Sequence, residues 1–254
     1  MTQTLLETTD LTVRFGGHVA VNRVTCSFRA GELTAIVGPN GAGKTTYFNL
    51  ISGQIGVTGG RVRLRGQDVT RFSVSRRCRL GLGRAFQLTN LFPELTVFEN
   101  VRLVMQSRMG QGFRLLSMAQ SHREVADAAM AVLERVSLDA LRGQKVSELS
   151  HGNQRKLEVA MLIALEPDVY MFDEPTAGMS VDEAPVVLDL IAELKQDRDR
   201  TILLVEHKMD VIRTLADRII VLHNGELVAD GPPAEVMASD VVQEAYMGKE
   251  IADA

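Results

Sequence analysis

The sequence predicts an α/β fold with a parallel core sheet, an N-terminal antiparallel β subdomain and an inserted α-helical subdomain, and three observations predict it. After residue 149, buried apolar strands alternate with helical periodicity, which is typical of parallel strands joined by right-handed crossovers. Residues 5–64 contain short strand patterns around one apolar strand and the helix that follows it. Residues 101–149 have a mainly helical pattern and interrupt the strands of the core.

Length and composition narrow the class of protein. The chain has 254 residues, enough for one large α/β domain, and its 24% charged residues are ordinary for a globular protein. We expect it neither to span a membrane nor to be secreted, since it contains no long apolar run and its start has no basic segment. The net charge of −4 gives no overall attraction for nucleic acid, and we expect no such partner. The spacing of Cys26 and Cys78 is typical of neither a metal site nor a redox motif, so we expect both thiols to be buried or inert.

The stretch from Gly38 to Thr45 fits the phosphate-binding pattern G-x-x-x-x-G-K-[ST]. It lies between an apolar strand at residues 33–37 and a helix that begins near Gly43, so an ordinary glycine-rich turn is the weaker interpretation. Lys44 is expected to reach the β- and γ-phosphates of a nucleotide, and the hydroxyl of Thr45 to ligate Mg²⁺. The predicted nucleotide contacts in this region are Gly38, Pro39, Asn40, Gly41, Ala42, Gly43, Lys44, Thr45 and Thr46.

A second candidate segment is the apolar strand 169–172, which ends in two carboxylates. We expect Asp173 to hold Mg²⁺, directly or through water, and Glu174 to polarise the water that attacks the γ-phosphate. An exposed acidic turn is the alternative, and the intact phosphate loop upstream favours the functional interpretation.

Two further features have both a functional and a structural interpretation, and a third is structural only. Phe15 precedes a Gly-Gly turn, and its ring could stack on a purine or could belong to the core or to an edge strand. The arginines between residues 71 and 84 could meet phosphates, but we expect a solvated helix face. Thr96 and Glu99 form a capping-box pattern that predicts a helix start.

Residues 149–154, Leu-Ser-His-Gly-Asn-Gln, come just before a helix and the acidic strand. Ser150 as N-cap, with Gly152 beside it, predicts a second anion site. With these residues the chain resembles the ATP-binding subunits of ABC transporters over nearly its whole length, which implies a P-loop NTPase fold of the ABC ATPase type. In that family this signature motif faces the γ-phosphate held by a partner subunit, so that two subunits close head to tail over two ATP molecules.

The resemblance implies roles for further positions. Gln87 matches the Q-loop residue, which contacts Mg²⁺ and the attacking water where membrane subunits dock. His207 matches the switch histidine that binds the γ-phosphate, Phe15 matches the adenine-stacking aromatic, and residues 177–180 occupy the D-loop. The signature departs from the family pattern at His151 and Asn153, yet we expect Ser150, Gly152 and Asn153 to keep an anion site.

The same resemblance implies one ABC ATPase domain over residues 1–254. Residues 1–86 and 155–254 would form the RecA-like core with its antiparallel β part. Residues 87–154 would form the helical subdomain, with the Q-loop and the signature.

Finer similarities favour one branch of the family. Residues 14–17, 83–87 and 245–248 resemble the ATPases of branched-chain amino acid importers, whereas residues 150–152 and 157–159 are also similar to urea and short-chain amide importers. This implies two transmembrane permeases, a second ATPase subunit, identical or different, and indirectly a periplasmic or extracellular solute-binding protein. The chain would lie on the cytoplasmic face of the inner membrane, as a peripheral subunit. The alternatives are a lipid or lipopolysaccharide exporter ATPase, a soluble ABC ATPase of DNA repair or translation, and a P-loop kinase or GTPase.

Overall fold

A computed structural model describes residues 3–85, 91–109 and 119–239. In chain order its strands are β1 (Thr4–Phe15), β2 (His18–Arg29), β3 (Leu33–Val37), β4 (Gly59–Leu64), β5 (Gln67–Asp68), β6 (Leu82–Ala85), β7 (Val169–Asp173), β8 (Thr201–Val205), β9 (Arg218–His223) and β10 (Glu226–Gly231). Its helices are α1 (Lys44–Ser52), α2 (Val74–Arg79), α3 (Val97–Arg108), α4 (Ala119–Arg135), α5 (His151–Leu165), α6 (Ala184–Leu194), α7 (Met209–Leu215) and α8 (Pro233–Met237). None of the helices in these ranges is both long enough and apolar enough to cross a bilayer.

The core sheet confirms the predicted parallel architecture. Within the described residues its order is β10-β9-β3-β8-β7-β6. Strand β3 pairs in parallel with β8 and β9, and β7 pairs in parallel with β8. Every residue of β3, β7 and β8 is buried, which explains why these strands are almost continuously apolar in sequence. Only β10 is antiparallel to its neighbour among the pairings described.

The N-terminal strands form a separate antiparallel sheet, in the order β2-β1-β4-β5 among the described residues. A tight turn at Gly16-Gly17 joins β1 to β2, and Gly16 has a φ of 59° there. Leu11 and Val13 are buried while Arg14 is exposed, as expected where side chains of a strand alternate between the two faces of a sheet. These apolar side chains belong to the same core cluster as those of α1, so the sheet and the helix share one core.

The chain divides into two compact units, one made of Met1–Arg84, Asp168–Glu174 and Lys195–Ala254 and the other of Ala85–Pro167 and Pro175–Leu194. In the second unit α3 begins at the predicted capping box, in which Thr96 Oγ1 accepts from the Glu99 N–H and the Glu99 carboxylate accepts from the Thr96 N–H. The apolar stripe of α4 is buried, with Val125, Ala129 and Leu133 at most 1% exposed.

One arginine of the basic stretch contradicts the prediction of a solvated helix face. Arg77 is 1% exposed and donates hydrogen bonds to the carbonyl oxygens of Leu50 and Ile51, at the end of α1, and to those of Phe72 and Thr70. The last carbonyls of a helix have no partner within the helix, so a buried guanidinium satisfies them and adds a favourable positive charge. Burial lowers the pKa of this guanidinium to about 10. Arg71, Arg76 and Arg79 are exposed, as predicted.

Candidate active site

The glycine-rich loop connects β3 to α1, as the sequence predicts. Its three glycines, Gly38, Gly41 and Gly43, have φ angles of 149°, 82° and 97°. These conformations are costly for residues with a Cβ atom, so glycine is the residue that the loop backbone requires. Successive peptides in such a loop form the concave backbone that binds anions.

Two of these glycines are also required by the space around them. A Cβ atom on Gly38 would overlap the carbonyl oxygen of Leu222, and one on Gly43 would lie 2.6 Å from the carbonyl oxygen of Ala20. No described atom lies within 4 Å of a Cβ placed on Gly41. The loop is therefore pressed against β9 and β2 at its ends and is open around Gly41, where a ligand can approach.

The turn between β9 and β10 supports this loop, a role that the sequence analysis missed. Gly225 donates its N–H to the carbonyl of Ala42 at 3.0 Å, and its own carbonyl accepts from the Asn22 N–H at 2.8 Å. The Asn-Gly dipeptide predicts the hairpin turn itself. Its contact with the phosphate loop depends on β9 lying beside β3, and no local sequence pattern reports that.

Lys44 reaches back across the loop. Lys44 is buried, and its Nζ donates to the carbonyl oxygens of Gly38 at 2.6 Å and Pro39 at 3.1 Å. The first turn of α1, which contains Thr45 and Thr46, carries no acidic residue. A lysine ammonium and the positive end of the helix dipole thus occur together, and this combination attracts phosphate.

The two predicted carboxylates lie at the carboxyl end of β7. Asp173 is the last residue of the strand and is 1% exposed. Glu174 follows with a φ of 49°, and its N–H donates to the carbonyl of Val205 at 2.9 Å. This left-handed conformation in a residue other than glycine is a strain that recurs at functional sites. It sets Glu174 against the end of β8, the neighbouring parallel strand.

Glu174 and His207 form a hydrogen-bonded pair. Oε1 of Glu174 lies 2.8 Å from Nε2 of His207, which follows the end of β8. The N–H of His207 donates to the Glu206 carboxylate at 2.7 Å, and Glu206 is 4% exposed. Glu206 therefore fixes the backbone that carries the histidine, although the sequence analysis gave it no role. The predicted base and the predicted switch histidine are in direct contact.

Arg84 also departs from the expected solvated face. Its side chain is 4% exposed, and Nη2 forms an ion pair with Oδ2 of Asp173 at 2.7 Å. Nη1 donates to Oδ1 of Asn49 at 2.7 Å and to the hydroxyl of Ser52 at 3.0 Å. A buried carboxylate is costly unless it is paired and hydrogen-bonded, which explains why an arginine occupies this position.

The residues at this site fit Mg²⁺ that is held partly by phosphate oxygens, and not a metal ion coordinated entirely by protein side chains. The predicted donors are the hydroxyl of Thr45 and the carboxylate of Asp173, and hard oxygen ligands of this kind suit Mg²⁺. In residues 3–85, 91–109 and 119–239, no group of three or more His, Cys, Asp or Glu side chains could hold a metal ion. Mg²⁺ commonly binds through one or two protein oxygens together with phosphate oxygens, so this donor set is sufficient once a nucleotide is bound. Gln87, the third predicted ligand, lies outside the described residues.

The predicted anion site at the start of α5 has the expected cap. Oγ of Ser150 accepts from the N–H of Asn153 at 3.2 Å. A Cβ atom on Gly152 would overlap the carboxylate of Glu183, whose Oε2 also accepts from the Ser180 N–H at 3.1 Å. Glu183 belongs to no motif in the sequence, so its contact with Gly152 was not predicted. Asn153 contributes its backbone N–H to the cap, so its departure from the family pattern leaves this hydrogen bond intact.

Phe15 ends β1 and is 50% exposed. This exposure excludes a core position, and β1 lies between β2 and β4 rather than at an edge of its sheet, so the strand is not an edge strand and stacking on a purine stays a prediction. The C-terminal segment 245–248 lies outside the described residues.

Comparisons with known proteins agree with this geometry. The family model described as "ABC transporter" matches residues 21–177, and one described as "Branched-chain amino acid ATP-binding cassette transporter" matches residues 226–252. The high-affinity branched-chain amino acid transport ATP-binding protein LivG of Escherichia coli (strain K12) is 37% identical over 98% of this chain and 100% of its own length. The corresponding protein BraF of Pseudomonas aeruginosa is 35% identical over the same shares.

A solved structure supports the same assignment. The ADP conformation of an ATP-binding cassette of an ABC transporter superposes with a TM-score of 0.80 at 28% identity, covering 97% of this chain and 100% of that one. The first family match includes both the phosphate loop and the acidic end of β7, and the relatives align over nearly the whole length. The chain therefore belongs to the ABC transporter family and is one of its nucleotide-binding ATPases.

Proposed function

We propose that this ATPase energises the import of branched-chain amino acids. The proposal of ATP hydrolysis is supported by the hydrogen bond between Glu174 and His207, which lie in the same unit as the phosphate loop. The substrate class is supported by the names of LivG and BraF and by the family match at residues 226–252. The proposed partners are two transmembrane permeases and a second ATPase subunit, with a solute-binding protein acting indirectly. The proposed location is the cytoplasmic face of the inner membrane.

The loop, Lys44 and Phe15 bind the nucleotide in this proposal. The exposed ring of Phe15 stacks on the adenine, and the loop backbone surrounds the β- and γ-phosphates. When phosphate enters, the Lys44 ammonium exchanges its bonds to the Gly38 and Pro39 carbonyls for phosphate oxygens. The change costs little because one set of charge-assisted hydrogen bonds replaces another.

Hydrolysis proceeds by attack of water on the γ-phosphorus. The Glu174 carboxylate accepts a proton from the water as the new O–P bond forms and the bond from phosphorus to the bridging oxygen of ADP breaks. The ring N–H of His207 that faces Glu174 is shared between this carboxylate, which it orients, and the γ-phosphate. Thr45, Asp173 and Gln87 would hold Mg²⁺, which would neutralise part of the phosphate charge when bound.

The signature segment completes the site of a second subunit. Ser150, Gly152 and Asn153, at the start of α5, bind the γ-phosphate held by the phosphate loop of that subunit. Residues 1–86 and 155–254 act as the nucleotide-binding core. Residues 87–154 act as the helical subdomain, which transmits closure of the pair to the permeases.

Purification of the complex tests this proposal. The tagged chain is captured from detergent-solubilised membranes, and its partners are identified by mass spectrometry. We expect two permeases with several membrane spans and a second ATPase. The solute-binding protein encoded with them is then titrated with leucine, isoleucine, valine and urea by calorimetry.

Each outcome has a definite meaning. Binding of the three aliphatic amino acids supports the proposal, whereas binding of urea alone replaces the substrate class. Recovery of ribosomes, repair proteins or the subunits of a lipid exporter contradicts the transport assignment and leaves the ATPase assignment intact.

A further inference from the structure

Arg84 connects three elements around the predicted metal site. It lies on β6, its Nη2 holds Oδ2 of Asp173 at the end of β7, and its Nη1 reaches Asn49 and Ser52 on α1. A further hydrogen bond joins Nη1 to Oε1 of Gln54 at 3.2 Å. One guanidinium thus links the acidic strand end to the helix that follows the phosphate loop.

Both ends of this ion pair are buried. The side chains of Arg84 and Asp173 are 4% and 1% exposed, so water does not compete strongly for either group. Burial lowers the pKa of the Arg84 guanidinium, and the neighbouring Asp173 carboxylate raises it in partial compensation. The pair is therefore a buried ion pair whose carboxylate has one oxygen fixed in place.

We propose that Arg84 is a positioning residue for metal binding. It links Oδ2 of Asp173 to Asn49 and Ser52 and so orients the carboxylate that takes Mg²⁺ beside the nucleotide. This inference rests on the metal-binding role of Asp173 in the proposed function. Hydrogen-bonded outer partners orient metal ligands, and their loss typically costs about 10- to 100-fold in metal affinity.

A positive charge near the site also repels the metal ion, so removal of Arg84 has two opposing effects on the affinity for the metal. The charge of Arg84 is spread over a planar guanidinium and is largely neutralised by its ion pair with Asp173. Without the arginine, Asp173 would lose the ion pair that holds Oδ2. We therefore expect loss of orientation to outweigh relief of repulsion, so removal of Arg84 weakens metal binding.

The test measures Mn²⁺ binding to the purified chain with saturating ADP, by the electron paramagnetic resonance signal of free Mn²⁺. For Arg84→Met we expect the Kd of Mn²⁺ to rise about 10- to 100-fold. ADP binding in EDTA should stay within about twofold of the wild type, because the hydrogen bonds described for Arg84 go to Asn49, Ser52, Gln54 and Asp173, which lie outside residues 38–46. Arg84→Lys keeps a positive charge but loses the planar guanidinium with its two terminal nitrogen donors. Its Kd for Mn²⁺ should lie between those of the wild type and Arg84→Met.

Arg77→Met is the matched control. Arg77 is also a buried arginine that binds the end of α1, but its described contacts are carbonyl oxygens and do not include Asp173. It should lose stability while the Kd of Mn²⁺ stays within about twofold. If Arg84→Met does not fold, Arg84→Gln replaces it, with an expected rise of about tenfold.

Three outcomes would overturn the inference. An unchanged or lower Kd of Mn²⁺ in the folded Arg84 variant contradicts the positioning role. An equal rise in Arg77→Met assigns the effect to general destabilisation. Failure of the wild type itself to bind Mn²⁺ with ADP overturns the proposed metal role of Asp173 as well, and this result is distinct from the other two.

Discussion

Glu174 Oε1 and His207 Nε2 lie 2.8 Å apart, although the two residues are 33 positions apart in the chain. Parallel pairing of β7 with β8 brings them together, because Asp173 pairs with Val205, Glu174 directly follows Asp173 and His207 lies two positions after Val205. The left-handed backbone of Glu174, with a φ of 49°, turns the carboxylate toward the histidine. The parallel pairing of these two strands therefore assembles this pair.

Replacement of His207 should affect turnover much more than binding. We expect His207→Ala to lower kcat of ATP hydrolysis about 100-fold, because it removes both the hydrogen bond that orients Glu174 and a ligand of the γ-phosphate. Phosphate release measures kcat, and fluorescence titration with ATP measures affinity, which should change by less than about fivefold. Wild-type turnover in the folded variant would contradict the role of His207.

Local patterns predicted most of the fold because each reports a local physical requirement. The apolar runs of β3 and β8 reflect burial on both faces, and the Thr96–Glu99 pattern reflects the need to cap a helix. Strong motifs also predicted the phosphate loop and the acidic end of β7. These features depend on residues within about one turn or one strand of each other.

The buried arginines could not be predicted in the same way. Arg77 and Arg84 fall in a basic stretch that is typical of a solvated face, and their partners at the end of α1 and at Asp173 are distant in sequence. The support that Gly225 gives to the loop and the contact of Glu183 with Gly152 depend equally on tertiary packing. A single sequence contains no local signal for such contacts.

Two glycines of the phosphate loop should differ in their tolerance of alanine. Gly43→Ala must overcome both a positive φ and a contact of 2.6 Å with the Ala20 carbonyl, whereas Gly41→Ala faces only the positive φ. By urea denaturation we expect Gly41→Ala to lower the free energy of unfolding by about 1 kcal/mol, and Gly43→Ala by about 3 kcal/mol. Equal losses would show that the loop is not pressed against β2.

Gly152 and Glu183 should be energetically coupled. In the wild type, Gly152→Ala pushes the Glu183 carboxylate away from Ser180 and should destabilise the protein by about 1 kcal/mol. In a Glu183→Ala background the obstacle is gone, and the same change should stabilise it by about 0.5 kcal/mol, because alanine is the better helix former. A double-mutant cycle from urea denaturation tests this, and the same effect in both backgrounds would rule out the contact.

Cys26 should be unreactive in the folded protein. Burial raises its pKa to about 11, so the reactive thiolate is scarce at pH 8 and increases only as the pH approaches that value. Cys78 is partly exposed, and burial raises its pKa as well. We expect Ellman's reagent to modify Cys78 before Cys26, with Cys26→Ala identifying the slower thiol, and both to react fully in urea. Rapid modification of Cys26 in the native protein would contradict its buried position.

The most direct test of the account is the comparison of Glu174→Gln with the wild type in ATP binding and hydrolysis under identical conditions. Glutamine preserves the size and a hydrogen bond to His207 but cannot accept the proton of the attacking water. We expect ATP binding to be retained and kcat to fall at least about 100-fold, with ATP remaining bound. Wild-type turnover in this variant would show that Glu174 is not the base and that hydrolysis occurs by another route.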